Sequence, residues 1–157
     1  MGWQKYNGEK IDTSIWQAVE QSIVREKKAG NNIQIYLGTD SQVKRGVIEL
    51  ATVIVFLRPQ SGGFMFIKKA LQPHLMTIKE RMLLEVQHSI DTAYQLAPLF
   101  EQYQIDLEIH ADINSSPNFE SHSAFKEAMG YIVGMGFRFK AKPESFASTN
   151  CANKLVQ

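Results

Sequence analysis

The stretch Ile33 to Asp40 reads Ile-Gln-Ile-Tyr-Leu-Gly-Thr-Asp. Apolar side chains occupy every second position, at Ile33, Ile35 and Leu37, and this period of two predicts a β-strand. The predicted strand ends on the carboxylate of Asp40. An acid at the end of an apolar strand is costly unless a metal ion or fixed donors compensate its charge. Asp40 is therefore a candidate functional residue, and the alternative is that it opens a turn with the two residues that follow.

Composition predicts one domain, residues 1–157, in a reducing compartment. The chain has 157 residues, 44% hydrophobic and 21% charged, which is enough to bury a full core. Its lone cysteine, Cys151, cannot pair within the chain, and no charged and apolar leader opens the sequence. We therefore expect a soluble cytoplasmic protein. The longest apolar run, Val47 to Leu57, is interrupted by Glu49 and is too short to span a bilayer, so no membrane role is expected.

The balance of charge argues against a strongly basic nucleic-acid binder. Seventeen basic and sixteen acidic residues give a formal net charge of +1, so any such binding must come from a local patch. One candidate patch is a basic row in which Arg138, Lys140 and Lys142 alternate with apolar residues along a predicted strand. This basic row would suit a phosphate backbone. The alternative is a solvated edge strand that its charges protect from aggregation.

The N-terminal part, residues 1–30, is predicted to be a tail and a helix that pack on the domain. Residues 1–11 show no clear period and are expected to pack through Trp3. The helix begins after Asp12 or Thr13, either of which can cap it, and ends at Gly30.

Three strands are predicted next, joined by short turns. The Ile33–Asp40 strand is followed by a long strand over Gly46 to Leu57 and by a third over Phe64 to Ala70, with Pro and Gly residues between them. Three consecutive strands with short connections predict an antiparallel meander.

The second half alternates helices and strands. Thr77 is predicted to cap a long helix that ends at about Ala97, because Pro98 follows. The remaining predicted elements are a strand over Ile105 to Asp112, a helix over Phe119 to Val133, a short strand over Phe137 to Ala141 and a final helix opened by residues 142–145. The fourth strand, like the first, is expected to end in a carboxylate.

This order of elements resembles the ribonuclease H-like fold, with Gly-Thr-Asp-Ser after the first strand and His-Ala-Asp-Ile-Asn at the fourth. More narrowly, it is similar to the YkuK-like family of predicted bacterial nucleases, over nearly the whole chain from Ile33 onward. The resemblance implies an α/β domain with a five-stranded mixed sheet flanked by helices. The first three strands would be antiparallel, and the fourth and fifth parallel to the first.

Hydrolysis of a phosphodiester with two metal ions needs three or four carboxylates around the ions. Asp40 and Asp112 suit this because adjacent parallel strands bring their carboxyl ends together. The third acid should come from the helix after Thr77, where Glu85 lies at the border of the apolar stripe and Glu80 lies well off it. Glu85 is the predicted ligand. The alternative is a solvated helix residue that neighbours Arg81.

The fourth ligand departs from the family pattern. The resemblance implies an Asp on the last helix, where this chain has Asn153 after Ala152. Asn supplies a carbonyl oxygen without charge, which weakens a metal that should activate water. Glu144 is a possible substitute, although Glu after Pro at a helix start also stabilises the helix dipole. His110 shares a strand face with Asp112, but no Cys or second His lies at zinc-ligand spacing, so a hydrogen-bonded histidine is expected.

The sequence thus predicts a Mg²⁺- or Mn²⁺-dependent nuclease, with Asp40, Glu85, Asp112 and Asn153 at the metals. DNA, RNA and a hybrid of the two are all candidate substrates, and the oligomeric state is open. The alternative is a nucleic-acid-binding or interaction module that kept the fold and lost the fourth charged ligand. An ATP-binding relative is disfavoured because no glycine-rich phosphate loop is present.

Overall fold

The computed structural model describes residues 2–114 and 122–142, with the backbone alone at 112–114, 122–125 and 142. The helices in this part are α1 (Ile15–Lys28), α2 (Ile78–Gln102) and α3 (His122–Gly134). The strands are β1 (Trp3–Lys5), β2 (Gln34–Lys44), β3 (Val47–Leu57), β4 (Gly63–Gln72), β5 (Leu107–Asn114) and β6 (Arg138–Lys142). The predicted final helix lies outside the described residues. No helix within these ranges is both long enough and apolar enough to cross a membrane.

The described strands form one mixed sheet in the order β1-β4-β3-β2-β5-β6. Strands β2, β3 and β4 pair antiparallel, whereas β5 runs parallel to β2 and β6 parallel to β5. The predicted α/β class and strand directions are confirmed, but the sheet has six strands and not five. The added strand is β1, which pairs antiparallel with β4 from Trp3 opposite Lys68 to Lys5 opposite Phe66. The region expected to be a tail thus covers the edge of β4 that would otherwise have no partner.

The first strand of the meander is longer than predicted. Pairing with β3 continues from Asp40 opposite Ala51 to Lys44 opposite Val47. Arg45 and Gly46 close the hairpin with positive φ angles of 51° and 77°, the conformation that a two-residue type I′ turn requires. The expected end of the strand at Asp40 was therefore wrong, and Asp40 lies within β2.

Both long helices differ from prediction at one end. The N-cap of α1 is Ser14, whose hydroxyl accepts from the Gln17 N–H at 3.1 Å, and not Asp12 or Thr13. Helix α2 begins after Thr77 as predicted but runs through Pro98 to Gln102. Proline has no N–H and therefore removes one helical hydrogen bond to the carbonyl of Tyr94, four residues earlier. Burial of the residues just after Pro98 keeps the last turn helical.

The main core lies between the helices and one face of the sheet. It is built from inward-facing residues of the strands, such as Ile35, Leu37 and Ile109, together with α1 and α2 side chains such as Ile23 and Leu96, all fully buried. The opposite face carries a smaller cluster of Val53, Val55 and Ile67 with Tyr36 and Met65 packed against it. Within this apolar packing, β2 and α2 also contain buried polar side chains, which are Thr39, Asp40 and Ser41 on β2 and Glu85, Ser89 and Thr92 on α2.

Candidate active site

Asp40 lies where β2 and β5 part. The last parallel pair between the two strands is Thr39 with Ala111, and Asp40 and Asp112 are the next residue on each strand. Adjacent strands are about 4.8 Å apart, so the two backbones bring these acids to neighbouring positions. The Asp40 side chain is 5% exposed, although an aspartate in water is charged at neutral pH.

The pairing of β5 with β6 is irregular between His110 and Asn114, the stretch that contains Asp112. Against β6, His110 pairs with Lys140 and the next pair is Asn114 with Lys142, so four residue steps on β5 match two on β6. Such bulges bend a strand and re-aim its side chains, and they are frequent beside active sites. The backbone of Asp112 follows the last residue paired with β2, while its side chain lies outside the described residues.

Glu85 reaches the same place from α2. Its carboxylate is 3% exposed and accepts a hydrogen bond of 2.5 Å from the hydroxyl of Ser41, the residue after Asp40. It also shares a hydrogen bond with the Asp40 carboxyl. Glu80 is elsewhere, because its Oε2 accepts from the Thr77 N–H at 3.0 Å and completes the cap of α2.

The two carboxyl groups repel each other when both are charged. Burial raises the pKa of Glu85 well above 4.5, and the charge of Asp40 and their shared hydrogen bond raise it further. The Ser41 hydrogen bond and the positive charge of Arg81 act in the opposite direction but do not offset the rise. A hydrogen bond between two carboxyls needs a proton, so the pair requires either a proton or a cation to neutralise it.

Buried hydroxyl groups fix the pair in place. The Thr39 hydroxyl on β2 lies 3.0 Å from the Thr52 hydroxyl on β3 and 2.7 Å from the Ser89 hydroxyl on α2. Ser89 is one helical turn after Glu85, so these contacts set the position of α2 against β2. Sequence reasoning missed this group. The available signal was the placement of Thr39 and Ser41 at positions where β2 alternation predicts apolar residues.

The donors suit a hard divalent cation. Mg²⁺ and Mn²⁺ prefer carboxylate and other oxygen ligands, which Asp40 and Glu85 supply. Within the described side chains no group of three or more His, Cys, Asp or Glu residues is placed to hold a metal ion. Asn153 and Glu144, the predicted candidates for the fourth ligand, lie outside the described residues.

The His110 side chain contacts Glu108 and Tyr36. It is 2% exposed, its Nε2 lies 2.7 Å from Glu108 Oε1, and its ring centroid is 5.0 Å from that of Tyr36. Burial lowers the pKa of His110, so the neutral form is favoured in spite of Glu108. This agrees with the expected hydrogen-bonded histidine.

The basic row lies on the same face of the sheet as Asp40. Arg138 pairs with Glu108 and Lys140 with His110, and these β5 residues lie opposite Tyr36 and Gly38 of β2, within four residue steps of Asp40. Arg138 and Lys140 are exposed. Arg138 Nη2 lies 3.5 Å from Asp106 Oδ2, an ion pair on the surface that contributes little stability. The Lys142 side chain is outside the described residues.

The sequence matches a known protein family. A family model described as ribonuclease H-like matches residues 15–157, which includes α1 as well as the region expected from Ile33 onward. No curated protein and no solved structure matches the chain. The matched segment covers most of the 157 residues and contains Asp40, Glu85 and Asp112. The chain therefore belongs to the ribonuclease H-like family.

Proposed function

We propose that this protein is a divalent-metal-dependent nuclease that hydrolyses phosphodiester bonds of a nucleic acid. The observation that carries the proposal is the buried pair of carboxyls, Asp40 and Glu85, beside the backbone position of Asp112. Family membership supports a nuclease-like function in general terms.

Stability alone does not account for the pair. Two buried acids that share a hydrogen bond destabilise the fold whenever both are charged. An amide in place of either one would avoid that repulsion, and at Glu85 it would still accept from the Ser41 hydroxyl. Acids such as Glu85, whose pKa is raised by burial and by a neighbouring carboxylate, are concentrated at functional sites. The pair is thus better explained as half of a cation site.

The residues have separable roles in the proposed reaction. Bound Mg²⁺ or Mn²⁺ would activate water and stabilise the leaving oxygen. Asp40 and Asp112 would supply carboxylates from two neighbouring strands, and Glu85 would supply a third from α2. Ser41 holds the Glu85 carboxyl in one orientation through its hydrogen bond. Asn153 would contribute a neutral oxygen, and the basic row would hold the phosphate backbone away from the site.

Cleavage assays test this proposal directly. Purified protein is incubated with single- and double-stranded DNA, with RNA and with an RNA–DNA hybrid, with Mg²⁺, Mn²⁺ or a chelator. We expect metal-dependent cleavage of at least one substrate, and a loss of about 100-fold or more in Asp40→Asn, since even residues that only support metal ligands contribute about 10- to 100-fold. Asp91→Asn, an exposed acid elsewhere on α2, is the control and should cleave normally. Equal cleavage by the native chain and Asp40→Asn would refute the proposal.

One feature of the sequence favours a second candidate, a binding module without catalysis. Asn153 stands where the family resemblance implies an acid, and a missing charge weakens the water-activating metal. This candidate predicts metal-dependent nucleic-acid binding with no cleavage of any substrate. Binding measured on the same substrates separates the two functions.

A further inference from the structure

Arg81 lies next to the carboxyl pair without forming an ion pair with it. It is one turn before Glu85 on α2 and is partly buried. Its positive charge is close enough to oppose the rise in the pKa of Glu85. Yet within the described residues the guanidinium has no ion pair within 4.0 Å, and its buried Nε has no hydrogen-bond partner.

An unpaired guanidinium N–H in this setting is unusual. Leaving a buried donor without a partner is unfavourable, and an arginine beside carboxylates commonly forms two parallel hydrogen bonds with one of them. Ser41 already donates to the Glu85 carboxyl. Lys79, two residues before Arg81, is engaged with Glu127 of α3 at 3.4 Å. Among the described residues of this turn of α2, Arg81 is thus the cation whose buried N–H has no acceptor.

We propose that Arg81 binds the substrate phosphate at the carboxylate site, donating from its guanidinium to the non-bridging oxygens. The planar fork of donors matches a phosphate, and a hydrogen bond between two charged groups is stronger than one between neutral groups. A phosphate held there lies beside Glu85, on the turn of α2 that faces Asp40. This inference rests on the proposed function and adds the residue that positions the bond to be cleaved.

Arg81 differs from the basic row in what it recognises. Arg138 and Lys140 lie on β6, exposed, and would attract any phosphate backbone that passes. Arg81 lies on α2 with a buried Nε and reaches one phosphate next to the acids. Loss of Arg81 should therefore act at a single position of the nucleic acid, whereas loss of the basic row should act on the whole backbone.

Binding measurements on full-length variants test the proposal. Affinity for a DNA or RNA oligonucleotide is measured with Ca²⁺ in place of Mg²⁺, for the native chain, Arg81→Gln, Arg81→Lys and the control Lys79→Gln. We expect Arg81→Gln to weaken binding by about 10- to 100-fold, the range for a lost hydrogen bond between charged groups. Arg81→Lys should recover part of this, because it keeps the charge without the fork. Lys79→Gln should bind like the native chain.

A second set of oligonucleotides locates the phosphate that Arg81 binds. One phosphate at a time is replaced by an uncharged methylphosphonate, and one position should lose affinity in the native chain but not in Arg81→Gln. Mn²⁺ should still raise the melting temperature of Arg81→Gln, since its carboxylates are intact. Native affinity in Arg81→Gln, no native binding, or loss of the Mn²⁺ effect would each overturn the proposal. If the native chain binds through Arg81 but cleaves nothing, the nuclease function fails while the phosphate contact stands.

Discussion

Changing Glu85 to Gln should stabilise the protein and remove its response to metal. The side chain is 3% exposed and shares a hydrogen bond with the Asp40 carboxyl. Gln keeps an oxygen that accepts from the Ser41 hydroxyl and adds an amide that donates to Asp40. Because the two side chains have nearly the same size and shape, the substitution isolates the charge.

The effect must depend on pH with a definite sign. The folded-state pKa of Glu85 is raised above its ordinary value of 4.5, mainly by burial. The native chain therefore keeps its full stability below pH 4.5, as far as Glu85 is concerned, and loses stability as pH rises through the raised pKa. A buried polar group without a compensating partner costs about 1–3 kcal/mol, so we expect Glu85→Gln to gain about that much in mildly alkaline buffer without metal. That corresponds to roughly 2–12 °C in melting temperature for a chain of this length.

With Mn²⁺ bound, the native chain should become more stable than Glu85→Gln. At a free Mn²⁺ concentration about 100 times its dissociation constant, binding adds about 2.7 kcal/mol to the native chain. Glu85→Gln should gain much less, because one charged ligand is gone. Thermal melts followed by circular dichroism, across a pH series with Mn²⁺ or a chelator, measure both effects.

Glu26 is the matched control, since it is also 3% exposed but paired. It accepts hydrogen bonds from Arg58, which lower the pKa of Glu26 despite burial. Its contribution is present above pH 4.5 and is lost as pH falls through the lowered pKa. Glu26→Gln should thus destabilise the protein in alkaline buffer and leave the Mn²⁺ effect unchanged. If Glu85→Gln is likewise less stable than the native chain without metal, our interpretation of the carboxyl pair is wrong.

Three further predictions concern the sheet and the residues around the site. Changing Arg138, Lys140 and Lys142 together to Gln should weaken nucleic-acid binding for all sequences and flatten its salt dependence. The slope of log affinity against log salt should fall by up to about 0.9 for each phosphate that is no longer neutralised. An unchanged slope would mean that the basic row is only a solvated strand. Asn153→Asp should raise Mg²⁺-dependent cleavage if the missing charge limits catalysis, and equal rates in both chains would exclude that cause. Thr39→Val leaves two buried hydroxyls without a partner and should cost about 1–3 kcal/mol in urea unfolding; a neutral change would show that they find other partners.

Periodic patterns allowed much of the fold to be predicted. Alternation from Ile33 to Leu37 identifies the central strand because one of its faces is buried against the helices. Helical phase put Glu85 at the border of the apolar stripe of α2 and Glu80 off it, and the structure buries the first and uses the second as a cap. Both features repeat over enough residues for a period to be visible.

Single-residue events were not predictable in the same way. The hairpin after Asp40 turns at Arg45, a residue with no turn preference that adopts a φ of 51° because the strand pairing on either side requires it. Strand β1 has three residues, too few to show alternation. Helix α2 continues past Pro98 because tertiary packing outweighs one lost hydrogen bond. In each case interactions distant in sequence decide the local structure.

Diffraction from crystals grown with Mn²⁺ tests the metal site most directly, because the anomalous signal of manganese locates the ion without reference to activity. We expect an anomalous peak for a Mn²⁺ ion that is bonded to carboxylate oxygens of Asp40 and Asp112 at about 2.1 Å, with the Glu85 carboxylate facing the same ion. Asp40→Asn crystals should lose this peak. Manganese bound elsewhere, or Asp40 and Asp112 carboxyls more than about 8 Å apart in the Mn²⁺-containing crystals, would contradict a shared metal centre.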